Sequence, residues 1–130
     1  RGDRCVLLGG ETTVMLPSDA AAGSKGPGKG GRASHLALLV AKELEGVEGW
    51  TLLCGATDGQ DGPTDAAGAF VDGGTMRRAR EKGCDAHEAV TRCDSYGFFA
   101  EEGGLYKIGL TGTNVMDMHV LLVSSKPETL

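Results

Sequence analysis

A single amphipathic segment flanked by short apolar runs constrains the fold of this chain more than any other feature. Its apolar residues recur at steps of three and four, at Leu36, Leu39, Val40, Leu44 and Val47. That period is typical of a helix with one buried face, so we predict a helix over Ser34–Glu45. Apolar runs of strand length lie on both sides of it, at Cys5–Leu8, Thr12–Leu16 and Trp50–Cys54.

The second half of the chain continues the alternation of helix and strand. We predict two short helices, Thr75–Lys82 and Asp85–Arg92, and a third that begins at Asp94 or Ser95 and ends at Glu102. The predicted closing strands are Tyr106–Ile108 and Val120–Val123. The 130 residues suit one domain. The fold class is therefore α/β, a single domain with a mixed sheet flanked by helices and glycine-rich loops at one sheet edge.

Charge and hydropathy exclude several classes of partner. The formal net charge is −5, which argues against a nucleic-acid-binding surface. The longest apolar run, Leu36–Ala41, has far fewer residues than the ~20 that a membrane span needs. The four cysteines are widely spaced, which favours free thiols over disulfides or zinc and predicts a reducing compartment, the cytoplasm. The oligomeric state and organellar targeting by an N-terminal segment stay open.

Three polar loops follow or precede the predicted strands and are the candidate ligand-binding segments. They are Gly23–Arg32, Thr57–Asp65 and Thr111–Asp117. Ligands of open α/β sheets bind beyond the ends of strands, where loop N–H groups and helix N-termini meet. In the first loop, Gly28, Gly30 and Gly31 allow close approach of an anion, and Arg32 can clamp a phosphate or carboxylate. The alternative is a surface loop whose lysines are solvated.

The second and third loops each carry alternatives of their own. Asp58, Asp61 and Asp65 lie within eight residues, and carboxylates this dense suit Mg²⁺ or hydroxyl groups. Alternatively, Asp61 opens a turn, Asp58 binds nearby backbone and Asp65 caps a helix. In the third loop Thr113 and Asn114 offer a hydroxyl and an amide, or form only a turn. Glu11 is either an active acid or an exposed charge on an edge strand.

Five ordered sequence blocks, taken together, resemble the MOFRL domain, the C-terminal part of class II glycerate kinases. The resemblance extends from about Cys5 to Val123 and leaves 124–130 as a tail. The blocks are Gly9-Gly10-Glu11-Thr12-Thr13-Val14, Gly28-x-Gly30-Gly31-Arg32, Thr57-Asp58-Gly59-x-Asp61-Gly62-Pro63-Thr64-Asp65-Ala66-Ala67-Gly68, Asp94-Ser95-Tyr96-x-Phe98-Phe99 and Thr111-Gly112-Thr113-Asn114-Val115-x-Asp117.

The resemblance implies a function shared with a second domain. In the family, ATP and glycerate meet in a cleft between this domain and an N-terminal Rossmann-like domain, which supplies a lysine. The implied reaction is ATP- and Mg²⁺-dependent phosphorylation of D-glycerate to 2-phosphoglycerate, and the chain by itself is expected to be inactive. The implied catalytic residues are Arg32, Asp58 and Asp61, and the implied substrate- or nucleotide-binding residues are Glu11, Gly30, Gly31, Thr113 and Asn114.

One departure from the family pattern supports an alternative function. The family usually continues Gly-Gly-Arg with Asn-Gln-Glu, whereas Ala33-Ser34-His35 follow Arg32 here. Two amides and a carboxylate are thereby lost beside the presumed site. The alternative is a diverged, non-catalytic ligand-binding or regulatory module. A hydroxypyruvate reductase, the name that some family members carry, is the less favoured activity.

Overall fold

The computed structural model describes residues 2–18, 23 and 25–125, which form five strands and four helices. In chain order, these elements are β1 (Arg4–Gly10), α1 (Arg32–Glu43), β2 (Trp50–Ala56), β3 (Gly68–Asp72), α2 (Thr75–Glu81), α3 (Ala86–Thr91), α4 (Ser95–Glu102), β4 (Leu105–Tyr106) and β5 (Asp117–Val123).

The five strands form one sheet in the order β1-β5-β2-β3-β4. Every neighbouring pair is antiparallel. The α/β class is thus confirmed, whereas the expected mixed sheet is wrong. The reason lies in β5, which is inserted between β1 and β2. Both strands run antiparallel to β5, so β1 and β2 are parallel to each other without being adjacent.

The helices cover one face of the sheet, with α1 packed on β2 and β3. Its buried face is built mainly from alanines and Leu38, so the helix axis approaches the sheet closely. The apolar period thus predicted the helix correctly but not its buried face, because Leu39, Leu44 and Val47 are exposed. The core consists of Ala33, Ala37, Leu38, Ala41, Trp50, Leu52, Cys54, Ala69, Val71, Met76, Ala79, Ala89, Phe98 and Phe99.

The predicted helices are all present, with bounds that differ by a few residues. Asp85 is the N-cap of α3. The Asp85 carboxylate accepts a hydrogen bond from the Glu88 N–H at 3.0 Å. Two strand predictions differ from the structure. The segment Thr12–Leu16 has no regular secondary structure, and the predicted strand Tyr106–Ile108 is the two-residue β4. Strand β3 was not predicted.

Several predictions fall partly on residues outside the described ones. Residue 24 of the first loop, residues 19–22 before that loop and residues 126–130 of the predicted tail lie outside them. No helix among residues 2–18, 23 and 25–125 is long and apolar enough to cross a membrane.

Candidate functional site

The candidate site lies where β1 and β2 end and β5 begins. Asp117, the first residue of β5, is paired with Gly10 on one side and with Ala56 on the other. The segments that follow Gly10 and Ala56 and the segment that precedes Asp117 therefore leave the sheet at the same edge. That edge also receives Arg32, the first residue of α1, through its contact with Asp117. Of the predicted loops, those that follow β2 and precede β5 lie at this edge, and the first loop reaches it through Arg32.

Two of the loops are joined into one surface by Thr57. Its N–H and its hydroxyl both donate to the Met116 carbonyl, at 3.1 and 2.7 Å, and its Oγ1 accepts from the Val115 N–H at 2.8 Å. The Thr111 hydroxyl donates to the Thr57 carbonyl at 2.6 Å. The Thr111 N–H donates to the Asp58 carbonyl at 3.1 Å. The segment 111–116 is therefore fastened along the loop that follows β2.

Arg32 is held by a carboxylate that the sequence reasoning did not assign to the site. Its Nε and Nη2 donate to the two Asp117 oxygens at 2.8 and 2.7 Å, and Glu11 lies 3.4 Å from Nη2. The Asp117 side chain is fully buried, whereas that of Arg32 is 23% exposed. The hydrogen bonds to Asp117 are the main cause that raises the pKa of Arg32. Asp117 stood in the fifth sequence block, so membership in that block was the available signal.

Asp61 is a structural anchor of the N-terminus of α1. One oxygen accepts from the Ala33 N–H at 2.8 Å, and the other accepts from the Ser34 N–H at 2.9 Å and the Ser34 hydroxyl at 2.6 Å. The residue is 1% exposed. The positive end of the helix is thus neutralised by a carboxylate of the protein itself. These two first-turn N–H groups of α1 are therefore engaged by the protein, which corrects the expectation that they clamp a ligand.

Asp58 and Asp65 have different hydrogen-bond partners in the structure. The Asp58 carboxylate accepts from the Gln60 N–H at 3.0 Å, which is the backbone-binding alternative described above. Asp65 does not cap a helix, because β3 follows its loop. Its carboxylate instead accepts a hydrogen bond from the Tyr96 hydroxyl, at 2.7 Å. Of the three aspartates, Asp58 alone is both partly exposed and at the edge that carries Arg32 and Asp117.

Asn114 and Thr113 lie in the segment that precedes β5. The Asn114 side-chain oxygen accepts from the Met116 N–H at 2.9 Å, so its carbonyl end is used locally. Thr113 contributes backbone contacts to Thr111, and its side chain is exposed. Together with Glu11, they line the same edge as Arg32. Their assignment to substrate or nucleotide stays a prediction.

The glycine loop needs its glycines because it packs tightly on the protein. A Cβ built on Gly30 would lie 2.2 Å from the Ser95 hydroxyl oxygen, and one on Gly31 would lie 2.3 Å from an Asp61 oxygen. On Gly28 it would lie 2.1 Å from the Asp94 Cβ. Internal packing thus accounts for these residues, and binding of substrate by Gly30 and Gly31 stays a prediction.

A cluster of two lysines around Tyr96 lies beside the glycine loop. The Lys29 ammonium lies 4.3 Å and the Lys107 ammonium 5.6 Å from the centre of the Tyr96 ring. Lys107 also contacts Asp65, at 3.4 Å. The hydrogen bond from Tyr96, with a further contribution from Lys107, lowers the pKa of Asp65. The sequence reasoning did not assign Tyr96, Lys29 or Lys107 to the site.

The carboxylates of the site do not fit a resident magnesium ion. Within residues 2–18, 23 and 25–125, no group of three or more histidine, cysteine or acidic side chains is arranged to hold a metal. Asp117 is engaged by Arg32, and Asp61 is engaged by α1. The expectation that Asp61 binds Mg²⁺ therefore has no support in the geometry. We therefore assign no metal ligand among the described residues.

The cysteines behave as free thiols in different surroundings. All four are unpaired with one another. Cys54 is fully buried in the core, and burial raises its pKa to about 12. Cys5 is exposed on the edge strand β1.

Comparison with known proteins agrees with this geometry. Residues 4–117 match the MOFRL family. A glycerate kinase of Danio rerio is 45% identical over 98% of this chain, and a D-glycerate 2-kinase of Thermotoga maritima is 43% identical over 91%. The crystal structure of a glycerate kinase of Thermotoga maritima superimposes with a TM-score of 0.82, at 43% identity over 92% of this chain.

The matches cover only part of each relative. The chain spans 25% of the length of the Danio rerio protein and 26% of the Thermotoga maritima one, and it covers 27% of the crystallised chain. The family match nevertheless includes most of the 130 residues of this chain, from β1 to the start of β5. The chain therefore belongs to the MOFRL family.

Proposed function

We propose that this chain is the C-terminal part of an ATP-dependent glycerate kinase that phosphorylates D-glycerate to 2-phosphoglycerate. Its active site would lie in a cleft shared with an N-terminal Rossmann-like domain. Membership in the MOFRL family and the printed names of the relatives support this proposal. Because the chain matches about a quarter of those relatives, activity is assigned to the longer protein and not to this chain alone.

The observation that carries the proposal is the fixed guanidinium of Arg32 at the meeting point of the loops. Phosphoryl transfer depends on positioning and on stabilisation of charge more than on covalent chemistry by the protein. An arginine has five N–H donors, of which Asp117 engages two. Glu11 lies 3.4 Å from Nη2, and the Nη1 donors are left for the glycerate carboxylate or the transferred phosphoryl group. Asp117 holds the guanidinium in one orientation, so little reorganisation is needed when substrate binds.

The other residues at this edge are assigned to recognition of glycerate. Asp58 and Glu11 are accessible carboxylates suited to accepting hydrogen bonds from the substrate hydroxyls, and Asn114 retains an NH₂ group that donates. Asp61 is reassigned from catalysis to positioning, because its contacts are made within the protein. ATP binds as its magnesium complex, so Mg²⁺ enters the site with the substrate.

A coupled assay of ADP formation by the full-length protein, with D-glycerate and MgATP, tests the proposal. Arg32→Ala should lower kcat/KM at least about a hundredfold, as loss of a positioned donor does. Arg77→Ala is the matched control, because Arg77 is an exposed arginine on α2 and should leave the rate unchanged. Phosphorus NMR of the product distinguishes 2-phosphoglycerate from the 3-phosphate. An unchanged rate in Arg32→Ala would refute the assignment.

A non-catalytic binding module is the second candidate function. It is favoured by Ala33 and Ser34, which stand where the family pattern has two amides. Both are buried, and Ser34 makes its hydrogen bonds to Asp61 and Ser95. If the full-length protein binds glycerate but produces no ADP, this candidate replaces the kinase.

A further inference from the structure

We propose that Lys29, Tyr96 and Lys107 form a binding site for a polyphosphate chain beside the Arg32 centre. The identification of that chain as the phosphate tail of ATP rests on the proposed kinase function. The site itself rests on the charges and contacts described next.

The charge around Arg32 is the first argument. Within the described residues, this single guanidinium is accompanied by the carboxylates of Asp117, Glu11 and Asp61. Asp117 engages two donors of this guanidinium and Glu11 lies 3.4 Å from Nη2, so the remaining donors can serve one anionic group. A chain of several phosphates therefore needs further cations close by. Lys29 precedes Arg32 by three residues, which places their Cα atoms at most about 11 Å apart.

The geometry of Lys29 is the second argument. Its N–H donates to the Asp94 carboxylate at 2.9 Å, and its carbonyl accepts from the Tyr96 N–H at 2.9 Å. The backbone is held on both sides, and the ammonium lies over the Tyr96 ring, a favourable cation–π position. Among the described residues, no carboxylate forms an ion pair with the Lys29 ammonium.

Lys107 supplies the second cation from another loop. It reaches the same ring and is partly neutralised by Asp65. The two lysines and Asp65 sum to one positive charge, and the nearby Asp94 carboxylate is paired with Arg92 at 3.7 Å. Half of the Lys107 side chain is exposed, at 51%, so its ammonium is accessible to a ligand. Each of the two ammonium groups near this ring can donate to a phosphate group, which accepts several hydrogen bonds.

Titration calorimetry of the 130-residue chain with inorganic triphosphate, without metal, tests the site directly. Lys29→Gln and Lys107→Gln should each weaken binding about fivefold, the upper range for an exposed ion pair. Lys42→Gln is the matched control, since Lys42 lies in the last turn of α1, roughly 15 Å along the helix from Arg32. Binding by Lys42→Gln should equal that of the wild type.

Two further variants separate recognition from a merely structural contact. Asp65→Asn removes the competing carboxylate and should tighten triphosphate binding about fivefold, a gain that a structural role for the cluster does not produce. Tyr96→Phe keeps the ring and should retain binding, whereas Tyr96→Leu should weaken it. Equal affinities for the lysine variants and Lys42→Gln, or weaker binding by Asp65→Asn, would overturn the proposal.

The outcome is distinguishable from that of the kinase proposal. Triphosphate binding that depends on both lysines supports the site even if the full-length protein has no turnover with glycerate. Turnover that is insensitive to Lys29→Gln and Lys107→Gln, together with unchanged triphosphate binding, overturns the site and leaves the kinase assignment intact.

Discussion

Removal of the Asp61 carboxylate should destabilise the fold because this side chain closes the N-terminus of α1. The carboxylate accepts two backbone N–H groups and one hydroxyl inside the protein, at 2.6 to 2.9 Å. In Asp61→Ala the two N–H groups and the Ser34 hydroxyl lose this acceptor in a buried position. Water cannot replace it without entry into the core, so the donors pay a desolvation penalty.

The size of the effect follows from these contacts. Loss of a helix-capping side chain costs about 0.5–2 kcal/mol, and a buried hydrogen bond to a charged group contributes about 1.5–3 kcal/mol. The three bonds share one carboxylate and do not add fully, so we expect a loss of about 3 kcal/mol for Asp61→Ala. In a domain of this size, that corresponds to a fall in Tm of roughly 10 °C. Asp61→Asn keeps one acceptor oxygen and should lose about half as much.

Urea denaturation followed by circular dichroism at 222 nm measures these losses. Glu81→Ala, which removes an exposed carboxylate from α2, is the control and should change the stability by less than about 0.5 kcal/mol. A double-mutant cycle with Ser34→Ala should give a coupling energy of about 1 kcal/mol, because the two side chains share a hydrogen bond. A loss below about 1 kcal/mol in Asp61→Ala would refute the anchoring role.

Three further predictions concern the glycine loop, the buried thiol and the site arginine. Gly30→Ala should destabilise the fold by about 1–3 kcal/mol in urea, because its Cβ would collide with Ser95, whereas Gly9→Ala meets no atom within 4 Å and should be neutral. The raised pKa of Cys54 stabilises the fold below pH 9, and this stability is lost as the pH rises toward 12. Relative to Cys54→Ala, the wild type should lose up to about 1.4 kcal/mol per pH unit in that window, and parallel profiles would contradict the assignment. Arg32→Lys should not restore kcat/KM in the full-length protein, because an ammonium cannot reproduce the paired contact with Asp117, and recovery above a tenth of wild-type activity would count against that geometry.

The sequence predicted individual helices and strands better than the pairing of the strands in the sheet. Helix α1 was found because its apolar residues recur at a helical period, although alanines and Leu38, and not that apolar stripe, form the face that packs on the sheet. Strand β3 was missed because Gly68–Asp72 is short and begins with glycine, a residue that local propensity disfavours in strands. The structure supplies the reason for that glycine: a Cβ at Gly68 would lie 1.8 Å from the Cys54 carbonyl oxygen. Such a close approach arises only from the long-range pairing with β2.

The segment Thr12–Leu16 illustrates the opposite error. Its threonine, valine and leucine content is typical of a strand, but a strand also requires a neighbour to accept its hydrogen bonds. The ladder between β1 and β5 ends at Gly10, whose φ of +140° turns the chain away from the sheet. The role of Asp61 was likewise set by long-range contacts that the local sequence does not show. Its carboxylate was predicted to face a ligand, and only the tertiary structure reveals that α1 begins directly over it.

The insertion of β5 explains why the loops meet at one edge, as predicted, although the sheet itself was predicted incorrectly. A strand–helix–strand pattern implies that β1 and β2 are parallel, and they are, so both deliver their following loops to one edge. Sequence order could not reveal that the last strand occupies the space between them. Because β5 runs in the opposite direction, it begins at that same edge and brings Asp117 between the ends of β1 and β2. An added strand that ran parallel to β1 would have placed its first residue at the far edge, and Arg32 would then lack its paired contact with Asp117. The antiparallel insertion is thus the feature of the fold on which the geometry of Arg32 depends.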